Sequence, residues 1–191
     1  MMLTPIYLDA NATTPLSEDL KQQIPGWLTS FGNPSSIHWA GRGPKGVLRD
    51  ARRAVAGMIG AEALELIFTS GGSEANNLAL VGVLEHLRLQ KSCRDQLIVS
   101  AVEHPSVLKT AQYLARFGWR VNVVPVSRNG VLDIEIFKKL LSERTALVST
   151  MLANNETGHI FPVREMAALA HEVGARFHCD AVQALGKKCS Y

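Results

Sequence analysis

Residues 146–180 read ALVSTMLANNETGHIFPVREMAALAHEVGARFHCD, and this stretch decides the fold class. It begins with the apolar run 146–151 and ends with the run 175–180, each of strand length. Between them, Pro162 opens a helical pattern that Gly174 closes. Two short apolar strands joined by a helix are typical of a parallel pair with a crossover connection. The stretch therefore predicts one strand–helix–strand unit of a parallel sheet.

The same alternation continues toward the N-terminus. Further strands are predicted at 66–69, 97–100 and 120–126, and further helices at about 47–59, 72–89, 106–117 and 134–141. Pro125 indicates that the 120–126 strand ends there or lies near an edge, and Ser127–Gly130 has turn composition. Nearly continuous apolar strands are buried on both faces. We therefore expect a three-layer α/β fold, with a largely parallel sheet and helices on both faces.

The composition excludes several classes of protein. Of 191 residues, 47% are hydrophobic and 19% charged, which argues against disorder and collagen-like repeats. Lysine and arginine exceed aspartate and glutamate by 20 to 17, a net charge of +3. The basic residues between Arg42 and Arg53 have no interleaved aromatic, so they favour a solvated helix face over a nucleic-acid surface.

The cysteines and the N-terminus bear on location. Cys93, Cys179 and Cys189 have neither disulfide nor metal-ligand spacing, and an odd number indicates a reducing compartment. No signal peptide is visible, and no apolar run approaches the roughly 18 residues of a membrane helix. We therefore expect a cytoplasmic protein without a metal, a membrane or a nucleic-acid partner.

Polar residues follow four of the predicted strands, at the sheet edge where parallel α/β proteins bind ligands. After the first comes Thr-Ser-Gly-Gly-Ser-Glu-Ala-Asn-Asn at 69–77. A helix beginning near Gly72 and Ser73 would aim free N–H groups at a phosphate. The simpler alternative is that Ser73 is only the N-cap of that helix.

Two further strand ends carry side chains suited to a flat ring. His104, in Glu103-His104-Pro105, could stack on a ring or move a proton, or it could only cap the next helix. Asn154–Gly158 offers two amides and a carboxylate to a ring hydroxyl or an oxyanion. As an alternative, that segment is an ordinary turn.

Asp180 ends an apolar strand, where an unpaired carboxylate is costly. Strand alternation places His178 on the same face and Cys179 on the other. A protonated pyridine nitrogen is one candidate partner for this carboxylate, and Gln183 adds a second amide. Together the four strand ends fit pyridoxal phosphate. A nucleotide-binding domain is disfavoured because both glycine-rich fingerprints are absent.

These residues carry a resemblance to a known family. The chain resembles the N-terminal half of a cysteine desulfurase of the NifS/IscS type, a group of fold-type-I pyridoxal-phosphate enzymes related to class V aminotransferases. The segments that carry the resemblance are 7–9, 12–15, 31–36, 69–77, 103–104, 154–158 and 178–187.

The resemblance implies six cofactor-binding residues: Gly72, Ser73, His104, Asn155, Asp180 and Gln183. The first two would hold the phosphate. His104, the one catalytic residue, would stack on the ring and assist proton transfer. Asp180 would pair with the pyridine nitrogen, and the two amides would bond the ring hydroxyl side.

The family reaction is also implied. It takes sulfur from L-cysteine, leaves L-alanine and forms an enzyme persulfide. A sulfur acceptor or scaffold protein of iron–sulfur assembly or tRNA thiolation then receives the sulfur. The resemblance also implies a homodimer.

The sequence departs from the family pattern after residue 187. The family's cofactor-binding lysine, in a Ser-x-His-Lys segment, finds no match, and Lys187 and Lys188 correspond to another position. Its persulfide cysteine and substrate-binding arginine are also unmatched. We therefore expect an N-terminal arm at 1–15 and, at 16–191, a large domain incomplete at its C-terminus and inactive alone.

Three alternatives remain open. The first is a selenocysteine lyase or another relative of the class V aminotransferases. The other two are of a different kind, a non-catalytic binding module and one half of a split enzyme.

Overall fold

The computed structural model describes residues 5–186. The chain divides after Phe68 into two compact units, Met1–Phe68 and Thr69–Tyr191. Lys187, Lys188 and Cys189 lie outside the described residues.

The second unit contains a four-stranded sheet. Its strands are β1 Gln96–Ser100, β2 Arg120–Val124, β3 Thr145–Ser149 and β4 Arg176–His178. They lie in the order β2-β1-β3-β4, and every neighbouring pair is parallel. All residues of β1 and β3 are buried, as their apolar sequences predict for central strands. The parallel sheet predicted from the sequence is confirmed.

Helices cover both faces of this sheet. They are α3 Gly72–Leu89, α4 Pro105–Ala115, α5 Ile134–Leu140 and α6 Val163–Glu172, where α1 and α2 belong to the first unit. Leu97 and Val99 of β1 pack with buried residues of α3 and α4. Ile98, which points the other way, packs with Phe137 of α5 and Met166 of α6. The alternating side chains of one strand thus contribute to two cores, and the three-layer prediction is confirmed.

The first unit is helical. It contains α1 Glu18–Leu28, α2 Trp39–Ile59 and a 3₁₀ turn at Ala63–Glu65. Ser17 caps α1 by accepting the N–H of Leu20, and α2 ends at Gly60, whose φ of 66° suits glycine. Within residues 5–186, none of the helices is long and apolar enough to cross a membrane.

The prediction of a strand at 66–69 is wrong. These residues form no strand, and Ile67 is 68% exposed. The backbone of Leu66 is extended, but its carbonyl accepts from Arg52 Nη1 at 2.7 Å. An apolar run becomes a strand only when a neighbouring strand takes up its backbone groups, and here a side chain takes up that carbonyl.

Strand ends also differ by a few residues from the prediction. The segment predicted at 120–126 stops at Val124, before Pro125, and forms an edge of the sheet. The turn predicted at Ser127–Gly130 is confirmed, since the N–H of Gly130 donates to the carbonyl of Ser127 at 2.9 Å.

Phe137 tests the packing of α5 on the sheet. Its side chain is fully buried, so Phe137→Ala should lower the free energy of unfolding by about 3–5 kcal/mol. Urea unfolding followed by circular dichroism measures this. The matched control is Phe117→Ala. The Phe117 ring is half exposed and contacts the ring of Tyr113, so this substitution should lower the free energy of unfolding by about 1 kcal/mol. Equal losses in both variants would contradict the assigned core.

Candidate functional site

The carboxyl edge of the sheet is tied together by side-chain hydrogen bonds. Asn76, in the second turn of α3, donates from Nδ2 to Asp180 Oδ2 at 2.8 Å and to Ser106 Oγ at 2.9 Å. Glu103 accepts the N–H of Met151, just beyond β3, at 2.8 Å. The start of α3 and the ends of β1, β3 and β4 therefore meet in one place.

Helix α3 begins without a side-chain cap. Its N-cap is Gly71, and Ser73 lies exposed inside the first turn, so the alternative that Ser73 caps the helix is wrong. The first N–H groups of an α-helix have no partner within the helix and carry partial positive charge. This helix start can therefore receive an anion.

Gly72 allows a close approach at the same point. A Cβ built on Gly72 would lie 3.0 Å from Val182 Cγ2, in the segment after β4. Glu74, the acidic residue of the first turn, is turned back to Ser70, whose N–H and hydroxyl donate to it at 2.7 and 2.6 Å. These hydrogen bonds lower the pKa of Glu74.

His104 caps α4, so the simpler of its two interpretations is confirmed. Its Nδ1 accepts the N–H of Ser106 at 3.1 Å and lies 2.7 Å from Ser106 Oγ. The imidazole is nevertheless exposed. Capping occupies one ring nitrogen and leaves the ring face open, so a stacking role is compatible with the cap.

Asp180 is half-buried and held by neutral donors. Oδ2 accepts from Asn76, and Oδ1 accepts the N–H of Val182 at 3.0 Å. None of the ion pairs among residues 5–186 involves Asp180, and Arg176 is exposed. A half-buried carboxylate with hydrogen bonds but without a cation favours a positively charged ligand.

The negative charge of Asp180 acts on its neighbours. Burial raises the pKa of the Cys179 thiol to about 11, and Asp180 adds to this effect. Burial lowers the pKa of His178, and Asp180 opposes that shift. His178 Nδ1 lies 2.8 Å from Ser149 Oγ, which ties β4 to β3. Neither residue offers Asp180 a cation.

The two amides assigned by resemblance follow the ends of β3 and β4. The N–H of Leu152 donates to the carbonyl of Asp180 at 2.9 Å, so the two segments run side by side. Asn155 and Gln183 follow on these segments and are both half-buried. The turn interpretation of this loop is confirmed for Asn154, whose Oδ1 accepts backbone N–H groups within the loop.

Two residues were missed by sequence reasoning. Asn76 is 4% exposed and carries the bonds that join α3 to Asp180. Glu103 is also 4% exposed, and its Oε1 accepts the Ser100 hydroxyl and the N–H of Met151. Within residues 5–186, Glu103 Oε2 has no hydrogen-bond partner. The available signal was a polar residue directly after an apolar strand or on the inner face of a helix.

Glu103 has an electrostatic cost. Burial raises its pKa to about 7, against the lowering effect of the hydrogen bonds from Ser100 and Met151, and the charge of Asp180 raises it further. Two carboxyl groups thus share the site, and Glu103 is the one that protonates near neutral pH.

Comparison with known proteins places the chain in a family. The family described as Aminotransferase class-V matches residues 6–190. The chain therefore belongs to the class-V aminotransferase family, whose members are pyridoxal-phosphate-dependent enzymes.

Individual relatives indicate a narrower group within this family. A cysteine desulfurase of Cereibacter sphaeroides is 50% identical over 185 residues, which cover 95% of this chain and 47% of the relative. A solved NifS-like protein superposes with a TM-score of 0.89 at 35% identity, over 97% of this chain and 51% of its own. SspA, solved in complex with cysteine, gives a TM-score of 0.83 at 30% identity, over 91% of this chain and 49% of its own. The resemblance to cysteine desulfurases is confirmed, and the chain spans about half the length of the curated relatives it matches.

Glu103 provides a pH test of the site. The folded protein holds this proton more tightly than the unfolded chain, because the pKa rises from 4.5 to about 7. Stability should therefore fall as the pH rises through that window. Glu103→Gln should not show this fall. Relative to wild type, the free energy of unfolding of the variant should therefore increase by up to about 3 kcal/mol between pH 5 and pH 8.

Denaturant titrations at both pH values measure this difference. The matched control is Glu156→Gln, which removes an exposed carboxylate from the neighbouring loop. In this variant the free energy of unfolding should change between pH 5 and pH 8 as it does in wild type. A constant difference between Glu103→Gln and wild type across this range would show that Glu103 is not held as described.

Proposed function

We propose that these residues form the cofactor-holding half of a pyridoxal-phosphate-dependent cysteine desulfurase, which takes sulfur from L-cysteine and leaves L-alanine. The observation that carries the proposal is Asp180, a half-buried carboxylate that is held by an amide and a backbone N–H but has no cation among the described residues. The similarity to named cysteine desulfurases supports the reaction class.

The residues at the sheet edge fit this cofactor. Its phosphate matches the uncapped start of α3, where Gly72 and Ser73 present backbone N–H groups. Its pyridine nitrogen matches Asp180, and its flat ring matches the exposed imidazole of His104. Asn155 and Gln183 are proposed to bond the ring hydroxyl side. When bound, the cofactor supplies a ring that withdraws electrons from the substrate carbon.

Asp180 is the residue that keeps a pyridine nitrogen protonated in this proposal. A carboxylate beside a heterocyclic nitrogen stabilises its protonated form. The bonds from Asn76 and Val182 fix both carboxylate oxygens, so the charge is oriented before a ligand binds. Burial raises the pKa of Glu103 to about 7, so below that pH Glu103 is uncharged and does not compete with Asp180 for a cationic ligand.

His104 would act beside the ring. Its backbone position is fixed because it caps α4, so the imidazole can stack on a flat ligand without ordering a mobile segment. We propose that it also assists proton transfer near the substrate.

The proposal extends to the enzyme as a whole. It comprises a homodimer in the cytoplasm, an N-terminal arm at 1–15 ahead of the large domain, and sulfur delivery to an acceptor or scaffold protein of iron–sulfur assembly or tRNA thiolation. The lysine that attaches the cofactor and the cysteine that carries the persulfide have no match in residues 1–191.

Replacing Asp180 tests the cofactor site. Asp180→Asn keeps the shape and removes the charge, and a charge-assisted hydrogen bond contributes about 1.5–3 kcal/mol. We expect equilibrium dialysis to show pyridoxal phosphate bound by residues 1–191 about tenfold to hundredfold more weakly in the variant. The matched control is Asp95→Asn, which should bind pyridoxal phosphate as wild type does. Asp95 lies beside the amino end of β1, where it forms ion pairs with Arg120 and Arg144. Equal binding by wild type and Asp180→Asn would remove Asp180 from the site.

A turnover assay tests whether residues 1–191 alone catalyse the proposed reaction. Residues 1–191 alone, supplied with pyridoxal phosphate and L-cysteine, should form alanine and sulfide no faster than pyridoxal phosphate without protein, because no matching lysine is present to attach the cofactor. Alanine quantified by chromatography measures this. Faster formation that is lost in Asp180→Asn would contradict the expected inactivity while supporting the cofactor site.

A further inference from the structure

A chain of three hydrogen bonds runs from Asp180 to His104. Asn76 Nδ2 lies 2.8 Å from Asp180 Oδ2 and 2.9 Å from Ser106 Oγ, and Ser106 Oγ lies 2.7 Å from His104 Nδ1. The two ends are residues to which the proposed function gives roles. The two intermediates, a buried asparagine and a half-buried serine, have none so far.

The direction of the first two bonds follows from donor chemistry. A carboxylate oxygen accepts, so the side of the Asn76 amide that faces Asp180 must be the NH₂ group. An NH₂ group has two protons, and the second points to Ser106 Oγ. The carboxylate therefore fixes the orientation of the amide, and the amide makes the serine oxygen an acceptor.

The third bond then has one direction as well. Ser106 Oγ accepts from Asn76, so its single proton is free to donate to His104 Nδ1. The backbone N–H of Ser106 also donates to Nδ1, at 3.1 Å, and a backbone N–H can only donate. Two donors thus converge on Nδ1, which must be the unprotonated nitrogen, and a neutral imidazole then carries its proton on Nε2.

We propose that Asn76 and Ser106 are positioning residues that set the tautomer of His104. Starting from Asp180, they keep Nδ1 an acceptor and place an N–H donor at Nε2, on the ring edge directed away from the cap. Asn76 is almost fully buried, and hydrogen bonds within such a network reinforce one another.

The consequence, which rests on the proposed function, concerns the role of His104 in the reaction. In this tautomer the neutral imidazole approaches a bound ligand as a hydrogen-bond donor at Nε2 and not as a base at that atom. Its natural counterpart is an anionic oxygen or sulfur of an amino-acid substrate. The same carboxylate that faces the pyridine nitrogen would therefore also select the donor form of the stacked imidazole.

The tautomer is measured by NMR on residues 1–191 labelled with ¹⁵N-histidine. Long-range ¹H–¹⁵N correlations distinguish a ring protonated at Nε2 from one protonated at Nδ1, and the His104 signals are assigned by their loss in His104→Gln. We expect wild type to show a single Nε2–H form with a hydrogen-bonded Nδ1. In Ser106→Ala and in Asn76→Ala the hydroxyl is removed or no longer oriented, and the 3.1 Å bond from the backbone N–H of Ser106 remains. The Nδ1 signal should therefore shift toward that of a free imidazole.

Matched variants separate this effect from general loosening. Ser106→Thr keeps a hydroxyl and should restore the wild-type signals. Asn122→Ala removes a half-buried amide that bonds Gln96 on neighbouring strands and should leave the His104 signals unchanged. Circular dichroism monitors folding, and the Ser106 pair supplies the test if Asn76→Ala does not fold.

Two results would overturn the proposal. One is a wild-type His104 protonated at Nδ1, and the other is a His104 spectrum that both Ser106→Ala and Asn76→Ala leave unchanged. No cofactor is present in this measurement, so its outcome is independent of cofactor binding. Failure of pyridoxal phosphate to bind would remove the proposed function and leave the tautomer assignment standing.

Discussion

The amide of Asn76 connects parts of the chain that are far apart in sequence. Its bond to Asp180 spans 104 residues, and its bond to Ser106 spans 30. Through these two bonds the start of α3, the cap of α4 and the end of β4 keep fixed positions at the sheet edge. If this amide were lost, the Asp180 carboxylate would keep, among residues 5–186, only the bond from Val182. The uncapped helix start would then no longer be tied to the carboxylate.

At this edge of the sheet, a carboxyl group buried in the candidate site lowers the stability of the fold. Burying Glu103 beside Asp180 raises its pKa to about 7, which makes the folded state less stable at higher pH. The hydrogen bonds from Ser100 and Met151 offset part of that cost and tie the end of β1 to the end of β3. Perturbed carboxyl groups in a cluster of polar strand ends are typical of functional sites, and this electrostatic strain is concentrated where the cofactor is proposed to bind.

The sequence predicted the sheet because its central strands are apolar on both faces. For β1 and β3 the short apolar runs sufficed, since both are buried by helices on either side. The same reasoning failed at Leu66–Thr69, because a strand also requires a partner, and periodicity does not report one. Likewise, composition could not decide between capping and stacking for His104, because the answer depends on where Ser106 lies.

Sequence reasoning proposes residues for the candidate site but not the hydrogen bonds that join them. Gly72, Asp180 and Gln183 follow from strand ends and from the resemblance, whereas Asn76 and Glu103 act through bonds across 104 and 48 residues. Such contacts arise only when strands and helices pack. Local patterns therefore locate the sheet edge that is proposed to hold a ligand, and tertiary packing decides which side chains are joined there.

If four separate segments form one cofactor site, cofactor binding protects all of them, and hydrogen exchange measured by mass spectrometry tests this most directly. Residues 1–191 are compared with and without pyridoxal phosphate. We expect slower amide exchange on binding in all four segments, 72–76, 104–106, 150–158 and 180–183, with residues 45–53 of α2 unchanged. Exchange that is unaffected in these segments, or slowed only in α2, would contradict it.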